Sequence, residues 1–379
     1  MSRPSANNVS HIVFWISVTL LAFGVFMARE PVQQVSSPTS TTQVAQKTDK
    51  TDAKSDVSVA SRKIRSDGQE SKGSLAIPFS PIIPCPQVND LLVDSRGTLW
   101  VATEKSLLAI DSGQVKEYSN SRGTFPAPQA ECLAFDGQKI WVGTLFGLYS
   151  TTRSGKIEKH QVSNVAGSEI ILDLAYDGVS LWVATQAGVA FMDKDGKFVI
   201  IDSHVSNGGL RNDWCQNIMR FSSWFVVTHD SGISFWNTGF KASNPEFWKN
   251  IDNARSSIVR PITGLTFDGN HIWVATSRGV LYLITPLEKL FSESVSNFVN
   301  FTTVHGLPSN RINAIISHRN SVWVGTNNGL ARISEEKIQT IIPIEGNSNP
   351  KILALAASGD ILWLGTDRGI QFVNTAMVE

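Results

Sequence analysis

Cysteine is scarce in this chain of 379 residues. The three present, Cys85, Cys132 and Cys215, are too few, too scattered and odd in number for a disulfide scaffold. Cys132 and Cys215 read as small core residues, and a Cys85–Cys132 bridge between neighbouring repeat units is the one pairing left open. An excess of charge is missing too. The chain has 33 basic and 33 acidic side chains, and charged residues make up 17% of it, below the roughly 25% of an ordinary soluble domain. A neutral chain has no electrostatic footprint for nucleic acid. The seven histidines are scattered without the spacing of zinc ligands. There is no glycine-rich phosphate loop and no Gly-x-Ser-x-Gly elbow. These absences predict a protein that binds rather than reacts, with no catalytic residue, metal or cofactor.

Long apolar runs are also lacking, with one exception. Residues 12–28 (IVFWISVTLLAFGVFMA) carry no charge, and seventeen helical residues reach about 26 Å, close to the lower limit for spanning hydrocarbon. This predicts a transmembrane signal anchor. The alternative is a signal peptide cut after Gly24, with Ala22 at the −3 position. Arg3 and Arg29 flank the run almost evenly, so local charge hardly orients it. A segment at the very start works as an export signal. The expectation is therefore a short cytoplasmic tail, 1–11, in a bacterial inner membrane, with the rest in the periplasm. Residues 29–73 are rich in Ser, Thr, Gln, Asp and Lys. They have no aromatic residue or leucine, cannot bury enough apolar surface to offset ordering entropy, and read as a disordered linker about 35 Å from end to end.

Tryptophan, by contrast, is plentiful: eleven residues, six of them in a recurring phrase. The chain reads DSRGTLWVATEKS from Asp94, DGQKIWVGTLFG from Asp136 and DGVSLWVATQAG from Asp177. It continues SSWFVVTHDSG from Ser222, DGNHIWVATSRG from Asp268, RNSVWVGTNNG from Arg319 and SGDILWLGTDRG from Ser358. Trp100, Trp141, Trp182, Trp273, Trp323 and Trp363 fill the aromatic slot, and Phe225 is assigned to it in the fourth copy. The copies recur every 40 to 50 residues. Such a period marks a repeat architecture.

Each copy parses as four strands. Asp-Gly at 136–137, 177–178 and 268–269 suits the tight hairpin joining the first two. The Gly after Thr-x-x suits a positive φ at the next hairpin. The aromatic fills the space toward a neighbouring sheet, and the small residue two positions later lets that sheet approach. The fold class expected is all-β: a seven-bladed β-propeller of four-stranded antiparallel blades spanning 74–379. The seventh copy lacks its fourth strand. The orphan extended stretch 74–83 is expected to supply it and close the ring.

The phrases GLPSNRINAI (306–315) and VWVGTNNGL (322–330) resemble the two-component regulator propeller repeat. That resemblance implies a sensory propeller, because related rings form periplasmic sensor regions of bacterial hybrid histidine kinases, some of which sense carbohydrates. No kinase, receiver or DNA-binding segment follows the ring here. Relatives of that type typically carry about fourteen blades. Any signal is therefore expected to pass through a separate partner. Streptogramin lyases are also seven-bladed propellers, using a His and an acidic residue with a metal, but their repeat wording differs.

Propeller loops between outer and next inner strands share a face with the hairpins after Trp-x-x-Thr, where ligands usually gather. On that face, the loop 202–213 brings His204, Asn207, Arg211, Asn212 and Asp213, followed by Trp214. His229 and Asp230 are placed on a long hairpin. Arg255 and Arg260 are next door, Arg278 sits on the fifth hairpin, and His305, Asn310, Arg311, Asp367 and Arg368 lie across the ring. An aromatic among Asn, Asp, Arg and His around a concave mouth could hold a small polar ligand or carbohydrate. Solvated loops would carry the same residues. Insertions at 238–245 and 285–296 lie on the opposite face; the latter, with Leu287, Leu290 and Phe291 along one side, is expected to pack against the blade edge, with a contact for an envelope protein partner as the alternative. The function expected is a membrane-anchored binding or sensory module, with an envelope scaffold as the alternative.

Overall fold

The computed structural model describes residues 73–152, 155–252, 261–284, 298–344 and 348–378. The apolar run 12–28, the linker up to residue 72, Arg255, Arg260 and the insertion 285–296 lie outside them. Among the described residues, no helix is long and apolar enough to cross a membrane.

Seven sheets follow one another, each running antiparallel from an inner to an outer strand. Blade three is representative: Ile171–Tyr176, Leu181–Thr185, Gly188–Met192 and Phe198–Ile201. Seven apolar clusters fill the seven seams, including one that joins Val88 and Leu91 of blade one to Ala354, Ala356 and Ile370 of blade seven. The small residue of the repeat phrase allows this packing. A Cβ on Gly143, Gly325 or Gly365 would lie 2.6 Å from Ile171, Ile352 or Val88 of the next blade.

Two polar devices recur. In six blades the repeat Thr hydroxyl donates across its hairpin, as Thr185 Oγ1 does to the Gly188 carbonyl at 2.9 Å. It also accepts a turn amide, as from Ala187 N at 2.9 Å. At the opposite hairpin the Asp of Asp-Gly is used twice. Asp268 Oδ1 accepts the Asn270 and His271 amides, while Oδ2 accepts the Trp273 indole N–H at 2.7 Å. Asp94, Asp136 and Asp177 hold Trp100, Trp141 and Trp182 likewise.

Blade four departs from the expected alignment. Its hairpin is closed by His229 opposite Gly232, just as Thr185 is opposite Gly188 in blade three. The turn therefore has the usual two residues. Val226 occupies the tryptophan position, Phe225 lies one residue before it, and His229 takes the place of the Thr. Alignment of the repeat phrase on Thr228 is therefore one residue out of step with the hairpin. Phe225 still packs against Trp182 of blade three, with ring centroids 5.0 Å apart.

The segment ahead of blade one is divided between two blades. Ser74–Ile77 pairs parallel with Lys337–Pro343, the outer strand of blade six, and makes that sheet five-stranded. Blade seven keeps three strands in its sheet, beside which Ile83 forms an isolated bridge to Ile370. Ser80 N donates to the Phe372 carbonyl at 2.9 Å, and Ile83 and Ile370 exchange N–H···O bonds at 2.8 and 2.9 Å. Gly369 lies so close that a Cβ would sit 2.4 Å from the Ile83 carbonyl oxygen, as one on Gly188 would from that of Ile201 at 2.5 Å.

Candidate functional site: the axial cavity

The inner strands surround a cavity of about 490 Å³ lined by residues of all seven blades. Their common register stacks the lining in levels. A bulge near the start of six inner strands puts one extra residue toward the loop face; Asn89, Leu172, Thr263, Asn313 and Leu353 line the cavity there, with Glu131 at the matching position of blade two, while Gln216 of blade four does not line it. The next level is opposite the small residue of each repeat: Asp90, Cys132, Asp173 and Asn217 on blades one to four, then Gly264, Ala314 and Ala354. Below it is an aliphatic collar of Leu91, Leu133, Leu174 and Ile218, completed by Leu265, Ile315 and Leu355. The cavity is a polar cup standing on a hydrocarbon ring.

The polar lining also binds the blades together. Asn89, Thr263 and Asn313 donate to the Ala130, Ile312 and Ile352 carbonyls of the following blades, at 2.8–2.9 Å. Asp90 Oδ1 accepts its neighbour Leu91 N, and Oδ2 accepts Leu133 N of blade two, both at 2.8 Å. Asp173 repeats the arrangement with Leu174 N and with Ile218 N of blade four, again at 2.8 Å. Burial in a wall without cations pushes both carboxyls up to about 7, against the pull of their amide donors. The Asp90 charge adds to the rise at Asp173. Burial also raises Glu131, whose side chain accepts from Gln129. The Cys132 thiol is held well above its usual range by burial and by the surrounding carboxyls, so it stays protonated and unreactive. Cys85, Cys132 and Cys215 are all free thiols.

The residues expected at the mouth divide into three groups. Several support their own loops. Asp213 accepts Ser203 N at 2.6 Å and the Ser203 hydroxyl at 3.0 Å, and Asn212 accepts Trp214 N at 2.8 Å. His305 Nδ1 accepts Thr302 N at 3.1 Å, and Asn310 accepts Thr303 N at 2.7 Å. Asp367 accepts Lys351 N at 3.2 Å, and Arg368 donates to Ser348 Oγ at 2.6 Å. His229 is buried. Its Nδ1 accepts Ser231 N at 3.1 Å, which leaves Nε2 to donate to Ser234 Oγ at 2.7 Å. Ser234 in turn donates to Asn250.

The second group is exposed. Asn207 and Arg211 line a recess of about 430 Å³ on blade four with Trp248 and Asn250. His204, Arg278 and Arg311 are exposed, and Trp214 is 42% exposed. Trp214 and Arg311 directly precede the first paired residues, Cys215 and Ile312, of their inner strands. Asp230 accepts from Gln216 at 3.1 Å at the same rim. Arg260 forms the third group, outside the described residues. None of the expected residues lines the axial cavity itself. Sequence reasoning passed over Asp90, Asp173 and Asn217. The signal was an acidic or amide residue eleven or twelve positions before the second-strand residue it pairs with, at the heart of an apolar strand.

Residues 82–105 match the family described as two component regulator propeller. The chain carries a two component regulator propeller repeat. No curated protein matches the sequence. Among solved structures, the extracellular domain of the hybrid two component system BT3049 from B. thetaiotaomicron is similar at 18% identity and a TM-score of 0.62. The match covers 80% of this chain and 42% of that one, so the chain spans about two fifths of that structure's length. Virginiamycin B lyase from Staphylococcus aureus matches at 16% identity and 0.56, covering 76% of this chain and 94% of that one. PorZ, a surface component of the type-IX secretion system of Porphyromonas gingivalis, matches at 11% and 0.56, covering 78% and 38%. At such identities these likenesses concern the fold.

Proposed function

We propose that the propeller is a ligand-binding, sensory module that takes a small polar ligand into its axial cup. The observation that carries this reading is the cup itself. Its size lies within the about 300–1,000 Å³ of ligand sites, and its hydrogen-bonding side chains converge at two levels above an aliphatic collar. The two component regulator propeller repeat supports it, as does the likeness to an extracellular domain of a two component system. In this reading residues 12–28 anchor the chain in a bacterial inner membrane, with the ring in the periplasm. Residues 80–83 clasp blade seven, and signalling uses a partner protein. The module binds and does not turn its ligand over. The test is a thermal-shift screen of glycans and cell-wall fragments on the purified chain. A ligand that stabilises the protein and emerges chemically unchanged supports the reading, and conversion of the ligand or a silent screen contradicts it.

A further inference from the structure

The cup is two-sided at its middle level, and the two sides ask for different chemistry. On blades one, three and four the wall presents Asp90, Asp173 and Asn217. On blades five to seven it presents Gly264, Ala314 and Ala354. Above pH 7, where both are ionised, these carboxylates accept and do not donate, and each oxygen has a second lone pair beyond the amide it already holds. Among the residues lining the cavity there is no Lys, Arg or His to receive an anion. At this level the opposite arc has no side chain longer than a methyl group, so it leaves room for bulk, and its polar groups, Thr263 and Asn313, stand one level above. The collar beneath is wholly aliphatic.

We propose that the cup selects a compact ligand without negative charge, one that donates hydrogen bonds from one edge to Asp90 and Asp173 and rests an apolar face on Gly264, Ala314 and Ala354. A hydroxyl- or amine-bearing ring has this shape: donors around the edge and C–H groups on the face. A carboxylate or phosphate ester of the same size would meet the two aspartates with like charge and no counterion. The proposal rests on the axial cup being the ligand site. It adds which ligands the cup admits and which side chains decide.

Three hexoses that share a ring and differ in charge at one substituent provide the test: D-glucose, D-glucosamine and D-glucuronate, titrated calorimetrically at pH 8 into the full chain. The expected result is saturable binding of glucose and glucosamine and at least about tenfold weaker binding of glucuronate. Asp90→Asn and Asp173→Asn keep size and should each weaken glucosamine by about tenfold or more, since a charge-assisted hydrogen bond is lost. Ala314→Leu fills the apolar side and should abolish binding. Arg211→Ala, in the blade-four recess, should leave it unchanged. Glucuronate binding as tightly as glucosamine overturns the proposal, as does indifference of glucosamine to both aspartate variants. Silence from all three hexoses overturns this ligand class. If a different ligand from the wider screen still binds and Ala314→Leu removes it, the cup reading survives and only the chemistry proposed here fails.

Discussion

Single residues set the electrostatics of this ring. Asp90 and Asp173 are raised by burial from an ordinary 3.8 to about 7. Between those values the folded chain holds protons that the unfolded chain has released, so stability falls as pH rises from about 4 to 7, and the loss is complete above 7. Glu131 is raised by burial as well and acts in the same direction. The midpoint of thermal unfolding should therefore fall between pH 5 and pH 8. An Asp90→Asn, Asp173→Asn double variant should show a clearly smaller fall. Equal slopes in the two proteins would refute the assignment. His229 makes a different residue-scale prediction. It links the Ser231 amide to Ser234 and Asn250 inside blade four. His229→Ala should cost about 2–4 kcal/mol, combining a cavity with unsatisfied partners. His229→Thr restores the device of the other six blades and should cost less, which denaturant melts can read.

At the scale of strands and hairpins, much of the fold was legible because each blade must meet the same demands. The strand parse of each copy holds, with strands such as Val88–Val93, Ser321–Thr326, Ile361–Thr366 and Gly369–Asn374 in their expected order. The Asp-Gly hairpins were read for their turn chemistry, but the second use of the Asp, holding the Trp indole, was not. Removing it should therefore cost more than a turn residue does. Asp268→Ala is expected to destabilise by about 1–3 kcal/mol, and the free Trp273 indole should change the protein's fluorescence. Blade four misled because Phe225 and Thr228 imitate the phrase one residue out of step. Strand pairing decided it: only Gly232 tolerates a positive φ with the Ile251 carbonyl oxygen 2.0 Å from where a Cβ would be. Gly369 stands in the same relation to Ile83. Gly369→Ala should displace residues 80–83 and speed amide exchange at Ile83 and Ile370. Unchanged protection there would show that the clasp is not needed.

At the scale of the whole molecule, the segment ahead of blade one meets blades distant in sequence, and it does not form the fourth strand expected of blade seven, whose sheet keeps three. A missing fourth strand pointed to the segment 74–83. It did not reveal that Ser74–Ile77 lies on blade six while Ser80 and Ile83 bond to blade seven. The candidate site was harder still. Loop residues draw attention because polar side chains are conspicuous there, yet Asp213, Asn212, His305 and Asn310 spend their hydrogen bonds on their own loops. A cup lined from seven strands has no local signature in any one of them. It exists only once the ring brings Asp90 beside residues more than a hundred positions away.

The central claim is that a ligand occupies the axial cup and not the decorated mouth of blade four. Isothermal titration of any stabilising ligand into the wild type, Ala314→Leu and Trp214→Ala, with each variant first shown to unfold within a few degrees of the wild type, tests it most directly. The cup account predicts that Ala314→Leu loses binding while Trp214→Ala keeps it within about threefold. Binding that survives Ala314→Leu and disappears with Trp214→Ala would contradict it.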